Sequence, residues 1–464
     1  MHCSVVIPCH GSAGLTRACV DSLLMQQGGP PAEILLVDNK NDPATSQLAT
    51  LHPHVRVLPQ PHNRGFAGGV NVGWRAASQP LVLVLNNDTQ AAENLFVELA
   101  DALRSSPTIG AVAPLSNHVK GPARIAVGQR GASSPGRAAI AAELQTGAVL
   151  QDVDTLAGLC LLLRRHTLEE VGGFDERIGH GNFEDDDLSL RLRLAGYRLV
   201  LARRAFLHHE GHATFRALGL DLDAELVKRR TQFISKWRED PAGRAVMASW
   251  REDIAGAADA AEAARRLHPR WADADLHLAR LHEALGDHTA AAHHYAAMLA
   301  NCPQHPDAAI GLGLSLLRTG QVQAAHRVLR EALAEHHLTA TNLVHLWREL
   351  GKHAYGHGQF IDAAGHFADA LAWAPDDGEL ANWLGLSHLA SGQFAAAARA
   401  FDQALQAGFP LAATNLGICQ HRLGDIAAAE QSFLKAFELL PHDPVARANH
   451  EAVLACQRAT AASR

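Results

Sequence analysis

The sequence predicts an α/β fold followed by an all-helical superhelix. Three observations carry this. Residues 1 to about 115 alternate short apolar runs with amphipathic stretches. From about residue 245 strand signals vanish and Ala, Leu, His and Gln dominate. This second half also repeats itself with a period of about 34 residues. With 464 residues, 47% of them hydrophobic and 19% charged, the chain suits two or three domains and is too apolar to be largely disordered. A formal net charge of -7 argues against a general nucleic-acid binder.

In chain order, Ser4–Pro8, Glu33–Asp38, Val55–Leu58, Leu81–Leu85 and Ile109–Ala113 predict buried parallel strands, because each is a short continuous apolar run. Between them, Leu15, Ala18, Cys19, Ser22 and Leu23 keep helical spacing, as do Leu95, Leu99 and Leu103. Such alternation predicts a doubly wound sheet, which binds ligands at the carboxyl ends of its strands. Polar residues stand there: Cys9-His10, Asp38-Asn39 and Asn86-Asn87-Asp88. Gly121-Pro122 and Gly131–Gly136 predict an irregular stretch. Leu156–Arg165 then predicts a strand, Gly172-Gly173-Phe174 a break, Leu188–Ala195 a helix and Arg198–Ala202 a strand. Seven scattered cysteines without a C-x-x-C pair give neither a disulfide framework nor a structural zinc site. Apolar runs of about five residues fall far short of the ~20 that a membrane span needs. The strand-like start at Ser4 leaves no room for a signal sequence, so the expected location is the cytoplasm.

Four signals carry chemistry. Asn86-Asn87-Asp88-Thr89 follows an apolar strand; its carboxylate suits a hard divalent cation, and equally a helix N-cap. Asn63 to Asn71 places Gly65, Gly68 and Gly69 at a helix mouth, where free N–H groups favour phosphate; a tight turn fits as well. Glu184-Asp185-Asp186-Asp187 sets four carboxylates before an amphipathic stretch, which is costly unless cations or hydrogen bonds compensate. A helix's first turn accounts for one or two of them, and one poised by its neighbours serves as a general base. His208-His209-Glu210-Gly211-His212 offers metal or phosphate ligands, in a chain with 29 histidines.

The order of SVVIPCH, EILLVDNKNDPAT, NRGFAGGVNVGW, LVLVLNNDT, GGFDE, EDDDLSLRLRLAGYRLV and FISKW resembles glycosyltransferase family 2 over roughly residues 3–240. The likeness is to inverting enzymes of the GT-A fold, an α/β Rossmann-like mixed sheet, and within them to the bacterial rhamnosyltransferase type. The resemblance implies donor binding by Pro8, His10, Asp38, Asn63, Gly68, Gly69, Asn71 and Asn87, with Asp38 reading the pyrimidine ring. It implies a Mn²⁺ or Mg²⁺ cofactor at Asp88, the second carboxylate of the D-x-D motif, completed by His209 or His208. His209 is favoured by its distance to Thr214. It implies Asp185 as catalytic base with Glu184 beside it. The sequence departs from the pattern at Asn86, which cannot carry the first motif charge, and at His10-Gly11, where an aromatic and an Asn are usual.

In the second half, Ala279, Gly313, Gly351, Gly385 and Gly417 recur in register with Ala291, Ala325, Ala363, Ala397 and Ala429. A second set follows: Tyr295, Leu329, Phe367, Phe401 and Phe433. Prolines close several units at Pro303, Pro375 and Pro441, and Ala257, Ala261, Ala264 and Pro269 form a half unit. This resembles about five tetratricopeptide repeats plus a half, stacked into a superhelix with a concave groove. The expected division is therefore 1–240 catalytic and 241–464 repeats. The expected function is inverting, metal-dependent transfer of a sugar from a UDP- or dTDP-sugar to a protein or peptide presented by the repeats. The alternatives are a cell-surface polysaccharide or O-antigen transferase, with repeats for homodimerisation or recruitment, and a non-catalytic adaptor. A sugar nucleotidyltransferase lacks its N-terminal Gly-rich loop here. Neither nucleic acid nor a transmembrane segment is expected.

Overall fold

The computed structural model describes residues 2–50, 52–119, 121–125, 149–178, 182–211, 222–335, 338 and 340–462. The turn signals at Gly131–Gly136, and with them His212 and Thr214, lie outside these residues. Among the described residues no helix is long and apolar enough to cross a membrane. The chain divides into two compact units, Met1–His337 and Leu338–Arg464.

The first unit is built on one mixed sheet: β1 (Cys3–Cys9), β2 (Glu33–Asp38), β3 (Val55–Pro59), β4 (Leu81–Leu85), β5 (Thr89–Ala91), β6 (Ile109–Ser116), β7 (Leu150–Asp152), β8 (Cys160–Arg164) and β9 (Arg198–His209). Its order is β3-β2-β1-β4-β8-β6-β9-β5, with β7 paired to β9. Strands β3, β2, β1 and β4 run parallel, as the apolar runs predict. Strand β8 reverses direction against both β4 and β6, and β6 runs parallel to β9. The carboxyl ends of β1, β2, β4 and β9 and the amino end of β8 therefore share one edge. Strands β1, β2 and β4 are buried on both faces, whereas β3 at the sheet edge is partly exposed. Val5, Ile7, Ile34, Leu36, Leu83 and Leu85 pack into one core, and Val6, Leu35, Val37, Val82 and Val84 into the other. Helices α1 (Ala13–Leu24) and α4 (Leu95–Arg104) supply Cys19, Leu23, Leu95, Leu99 and Leu103 to the first core. Helix α3 (Gly65–Ala76) and helix α6 (Glu184–Leu194) supply Val70, Trp74, Leu188 and Leu192 to the second. Short helices α2 (Pro43–Gln47) and α5 (Arg165–Val171) follow β2 and β8, and α7 (Leu222–Trp237) follows β9. Helix α3 lies close to the sheet because Gly73 has no Cβ; one built there would stand 2.1 Å from Val6.

Helical hairpins follow. In the first unit they are α8 (Pro241–Ser249) with α9 (Ile254–Leu267), α10 (Asp273–Ala284) with α11 (His288–Asn301), and α12 (Pro306–Arg318) with α13 (Val322–Glu335). Asp240, Asp253 and Asp287 cap α8, α9 and α11 by accepting backbone N–H groups. The second unit holds α14 (Ala340–Gly356), α15 (Phe360–Trp373), α16 (Gly378–Ala390), α17 (Phe394–Gln406), α18 (Ala412–Arg422), α19 (Ile426–Leu439) and α20 (Pro444–Ala462). The periodic positions explain the hairpins. A Cβ on Gly351, Gly385 or Gly417 would fall 2.8, 2.6 or 2.6 Å from the ring of Phe367, Phe401 or Phe433. The aromatic thus seats on the glycine of its own hairpin, and Phe367 also stacks on Trp383 of the next unit at 5.8 Å. The half unit is a complete hairpin, because α8 pairs with α9.

Candidate active site

The shared strand edge opens into a cleft of about 1060 Å³. The cleft is lined by Pro8 near the end of β1 and His10 just beyond it, Asn39 beyond β2, and Asn63, Gly65 and Phe66 at the mouth of α3. Asn86, Asn87 and Asp88 line it from the end of β4, and Gly158 from the approach to β8. Asn182, Phe183, Glu184, Asp185 and Asp186 enter at the start of α6, and His209 at the end of β9. Three distant acidic stretches of chain do not all meet here: Asp88 and Asp185 face one cavity, whereas Asp38 is absent from its lining.

Asp88 and His209 form a pair. Strand β5 pairs antiparallel with β9, bringing Thr89 opposite His209, so Asp88 Oδ1 lies 3.3 Å from His209 Nε2. The ring's Nδ1 is 2.8 Å from the His118 carbonyl oxygen, and the His209 N–H donates to Asn117 Oδ1. Burial pulls the imidazole toward its neutral form, but the Asp88 carboxylate outweighs it and raises its pKa above the usual value. His208, one residue earlier, faces the other way and pairs with Glu210 at 3.4 Å. Asp88 caps no helix, because the short strand β5 follows it. Asn87 Nδ2 donates to Thr16 Oγ1 at 3.0 Å.

The second acidic group sits at the start of α6, behind Asn182 and Phe183 with φ of 69° and 66°. Two successive non-glycine residues in the left-handed region are costly, and they aim the helix's first turn into the cleft. Asp185 Oδ2 accepts the Gly158 N–H at 3.0 Å and Oδ1 the Asp186 N–H at 3.1 Å, so the backbone fixes the carboxylate. Glu184 is buried, its Oε2 has no partner, and burial, followed by the neighbouring Asp185 charge, drives its pKa well up. The pair thus sets an acid pushed toward its neutral form beside a carboxylate held by N–H donors. Asp187 belongs to the scaffold: it is fully buried and meets Arg191, Lys236 and Trp237. Here lies the compensation that four adjacent carboxylates require.

The remaining sequence candidates brace the site. Asp38 is fully buried, and its two oxygens accept the N–H groups of Lys40 and Asp42 at 3.0 and 2.7 Å. It shapes the turn that brings Asn39 to the cleft, where Asn39 Nδ2 donates to the Gly65 carbonyl. Gly68 and Gly69 lie under Arg64 and against Asn39 and Pro8, leaving no room for a Cβ. Asn71 is buried and makes four hydrogen bonds: it donates to the Phe174 carbonyl and Glu176, and accepts from the Phe174 N–H and Trp74 Nε1. Arg64 reaches Glu176 at 3.3 Å, so the glycine-rich stretch and the GGFDE stretch hold each other. Gly173 sits at φ 74°, and a Cβ there would meet Asn71 and Trp74 at 2.6 Å.

Sequence reasoning placed Asn39 at the ligand edge without a role, and missed His118, Arg124, Arg230 and Trp250 in the lining. Only Asn39 had a signal, its place next to Asp38. Cys9 also lines the cleft, but its sulfur is buried and its pKa driven up, so it is no nucleophile. Three buried polar atoms on lining residues, His10 Nδ1, Asn182 Nδ2 and Glu184 Oε2, have no partner. Such atoms in one cleft mark a place that a polar ligand completes. Among the described residues no cluster of three or more His, Cys, Asp or Glu converges on a metal position.

Comparison with known proteins follows this geometry. The family described as glycosyl transferase family 2 matches residues 4–172, and the tetratricopeptide repeat matches residues 251–306 and 384–444. The chain is 33% identical over 214 residues to the N-acetylglucosaminyl-diphospho-decaprenol L-rhamnosyltransferase of Mycobacterium tuberculosis, covering 40% of this chain and 69% of that protein. It is 30% identical over 219 residues to the O-antigen biosynthesis protein RfbC of Myxococcus xanthus, covering 45% of this chain and 17% of that protein. Among solved structures, GalNAc-T7 with UDP, GalNAc and Mn²⁺ is similar at 19% identity and a TM-score of 0.36, over 45% of this chain and 42% of that one. The chain belongs to glycosyl transferase family 2 and is a glycosyltransferase, with tetratricopeptide repeats following its catalytic sheet.

Proposed function

We propose that the protein transfers a sugar from a UDP- or dTDP-sugar to an acceptor hydroxyl with inversion at the anomeric carbon. The observation that carries this is a single cleft holding the Asp88–His209 pair, the fixed carboxylate of Asp185 and three unpartnered buried polar atoms. The nucleotide lies at the end lined by Pro8, His10, Asn39 and Asn63. Asp38 acts through the turn that positions Asn39. His10 Nδ1 offers one unspent polar atom to the donor.

Asp88 and His209 suit an open divalent site, because a carboxylate and an imidazole are donors that Mn²⁺ accepts; the imidazole favours it over the harder Mg²⁺. When bound, such an ion offsets the charge that builds on the departing diphosphate. Asn86 would add no charge to such a site. Asp185 takes the acceptor hydroxyl's proton while the oxygen forms its bond to the anomeric carbon. The bond from that carbon to the diphosphate breaks on the opposite face. Glu184, with its Oε2 unpartnered, is placed to hydrogen-bond a sugar hydroxyl. General-base help of this kind contributes about 10²–10⁴-fold.

The names of the relatives favour a saccharide acceptor over a protein. The mycobacterial protein is named for transfer of L-rhamnose to N-acetylglucosaminyl-diphospho-decaprenol, and the myxobacterial one for O-antigen biosynthesis. On this reading the repeats beyond the first hairpin bind a partner protein. The deciding experiment incubates the chain with a panel of UDP- and dTDP-sugars and Mn²⁺. The reading expects release of nucleoside diphosphate and, with acceptor, an inverted anomeric proton coupling by NMR. Release of pyrophosphate from a nucleoside triphosphate mixed with a sugar 1-phosphate would mark a nucleotidyltransferase, and no release from any donor an adaptor.

A further inference from the structure

We propose that Trp250 is the platform on which the acceptor's sugar ring stacks, so that the first hairpin of the repeat region completes the catalytic cleft. This rests on the transferase reading above and extends it to the acceptor. Trp250 lies at the turn between α8 and α9, past the 1–240 region of resemblance and one residue before the tetratricopeptide match begins. Yet it lines the same cleft as Asp185.

The ring is placed rigidly. It packs on the fully buried Phe233 with centroids 5.4 Å apart and on Phe183 at 6.2 Å. Phe183 directly precedes Glu184 and Asp185, so the platform and the base are joined through one aromatic contact. The Arg230 guanidinium lies over the ring, 5.5 Å from its centre, and Leu226 and Val227 line the same cleft. Although so backed, Trp250 is 38% exposed, and Val227 is 68% exposed. The residues assigned above to the nucleotide come from other elements: Pro8, His10, Asn39 and Asn63.

A large aromatic left open in a cleft beside a general base offers apolar area to a ligand that has both an apolar face and hydroxyls. A pyranose ring fits this description. Its C–H face lies on the indole, its hydroxyls reach Asp185 and Asp186, and the Arg230 guanidinium donates to ring oxygens or to an anionic substituent. An extended peptide needs a row of amide partners, which the side chains of Leu226, Val227 and Trp250 do not provide.

The test uses the full chain with UDP, dTDP and Mn²⁺ and two probes, methyl β-N-acetylglucosaminide and methyl α-L-rhamnoside. Binding is read by saturation-transfer NMR titration. Trp250→Leu keeps bulk against Phe233 and removes the aromatic face; Trp250→Phe restores a ring. The expected result is pyranoside binding by the wild type, weakened about tenfold or more by the Leu variant and within about threefold in the Phe variant. Nucleotide affinity should be equal in all three. Equal pyranoside affinity in the Leu variant would overturn the proposal. So would binding of a Ser/Thr peptide in place of either pyranoside, or loss of nucleotide binding in both variants. A wild type that binds neither nucleotide would instead sink the transferase reading itself.

Discussion

Cutting the chain at residue 240 should destabilise the catalytic sheet, whereas cutting at 337 should not. The magnitude follows from what α8 to α13 cover. Phe233 is 1% exposed and Trp237 7%, and both share an apolar cluster with Leu190, Phe183, Leu194 and Val246, the last of them from α8. Leu194 also packs with Ala242, Ala245 and Trp271. Removing the hairpins opens two or three large side chains, at about 1.5–3 kcal/mol each. Polar ties are lost as well. Asp152 accepts the Gln304 N–H at 2.8 Å, Arg193 pairs with Asp273, and His305 lies 3.3 Å from Asp154. Water reaches Arg193 and Asp152 once the repeats are gone, so these pairs add only about 1 kcal/mol each rather than a buried-charge penalty. The sum is about 6–12 kcal/mol against a typical total stability of about 5–15 kcal/mol. For a domain of this size that lowers Tm by at least ~10 °C. Fragments 1–240 and 1–337 compared by circular dichroism melts and dye binding would show it. A cooperative melt of 1–240 within about 5 °C of 1–337 would refute the reasoning.

Three further outcomes follow. Asp185→Asn keeps one acceptor for its backbone donors and removes the base, so turnover should fall about 10²–10⁴-fold with donor affinity within about threefold, measured by nucleoside diphosphate release and calorimetry. Asp88→Ala and His209→Ala should each abolish Mn²⁺-dependent turnover, and excess chelator should do the same to the wild type; full activity in chelator removes the metal from the mechanism. His277 gives a pH dependence. Burial, with Arg280 adding to it, pushes its pKa down to about 4, whereas in the unfolded chain it protonates near pH 6.5. Its neutral folded form is therefore fully favourable above about pH 6.5, and stability falls by up to ~3 kcal/mol as the pH drops toward 4. His305 has the opposite sign: burial lowers its pKa but Asp154 raises it further, so its contribution holds below about pH 6.5 and fades as the pH climbs past its folded value. Urea midpoints of wild type and His277→Leu between about pH 4.5 and 7 should separate the two, and an unchanged acid limb in the variant would discard the assignment.

What was legible in the sequence was whatever depends on local pattern. Apolar runs locate β1, β2, β4, β6 and β8, because a strand buried on both faces has no polar alternation to hide it. The repeat register predicts the hairpins, since glycine and aromatic face each other within one unit. Strand β9 was legible only to Ala202. Arg203 and Arg204 look like a surface end, yet Arg203 is 3% exposed and donates to Gln151 at 3.0 Å, and the strand continues to His209. That hidden length sets the parity that puts His209, and not His208, beside Asp88. The direction of β8 was not legible, because a buried apolar run reads the same for either neighbour.

The site divides along the same line. Asp88, Asp185 and Glu184 stand at element ends, where sequence position alone predicts exposure to a ligand. Asp38 and Asn71 look equally functional in sequence because both are polar residues in glycine-rich or strand-end contexts. Their partners give both a bracing role that the sequence does not show, and those partners are the Lys40 and Asp42 amides and a segment about a hundred residues away. The glycine-rich and GGFDE stretches occur together because each supplies the other's hydrogen bonds, a reason for the pattern that needs no ligand. Trp250 had no local signal at all, since an aromatic at the end of a helix is ordinary. Only the packing of α8 against Phe233 brings it to the cleft, and that contact makes the repeats part of the catalytic apparatus rather than an appendage to it.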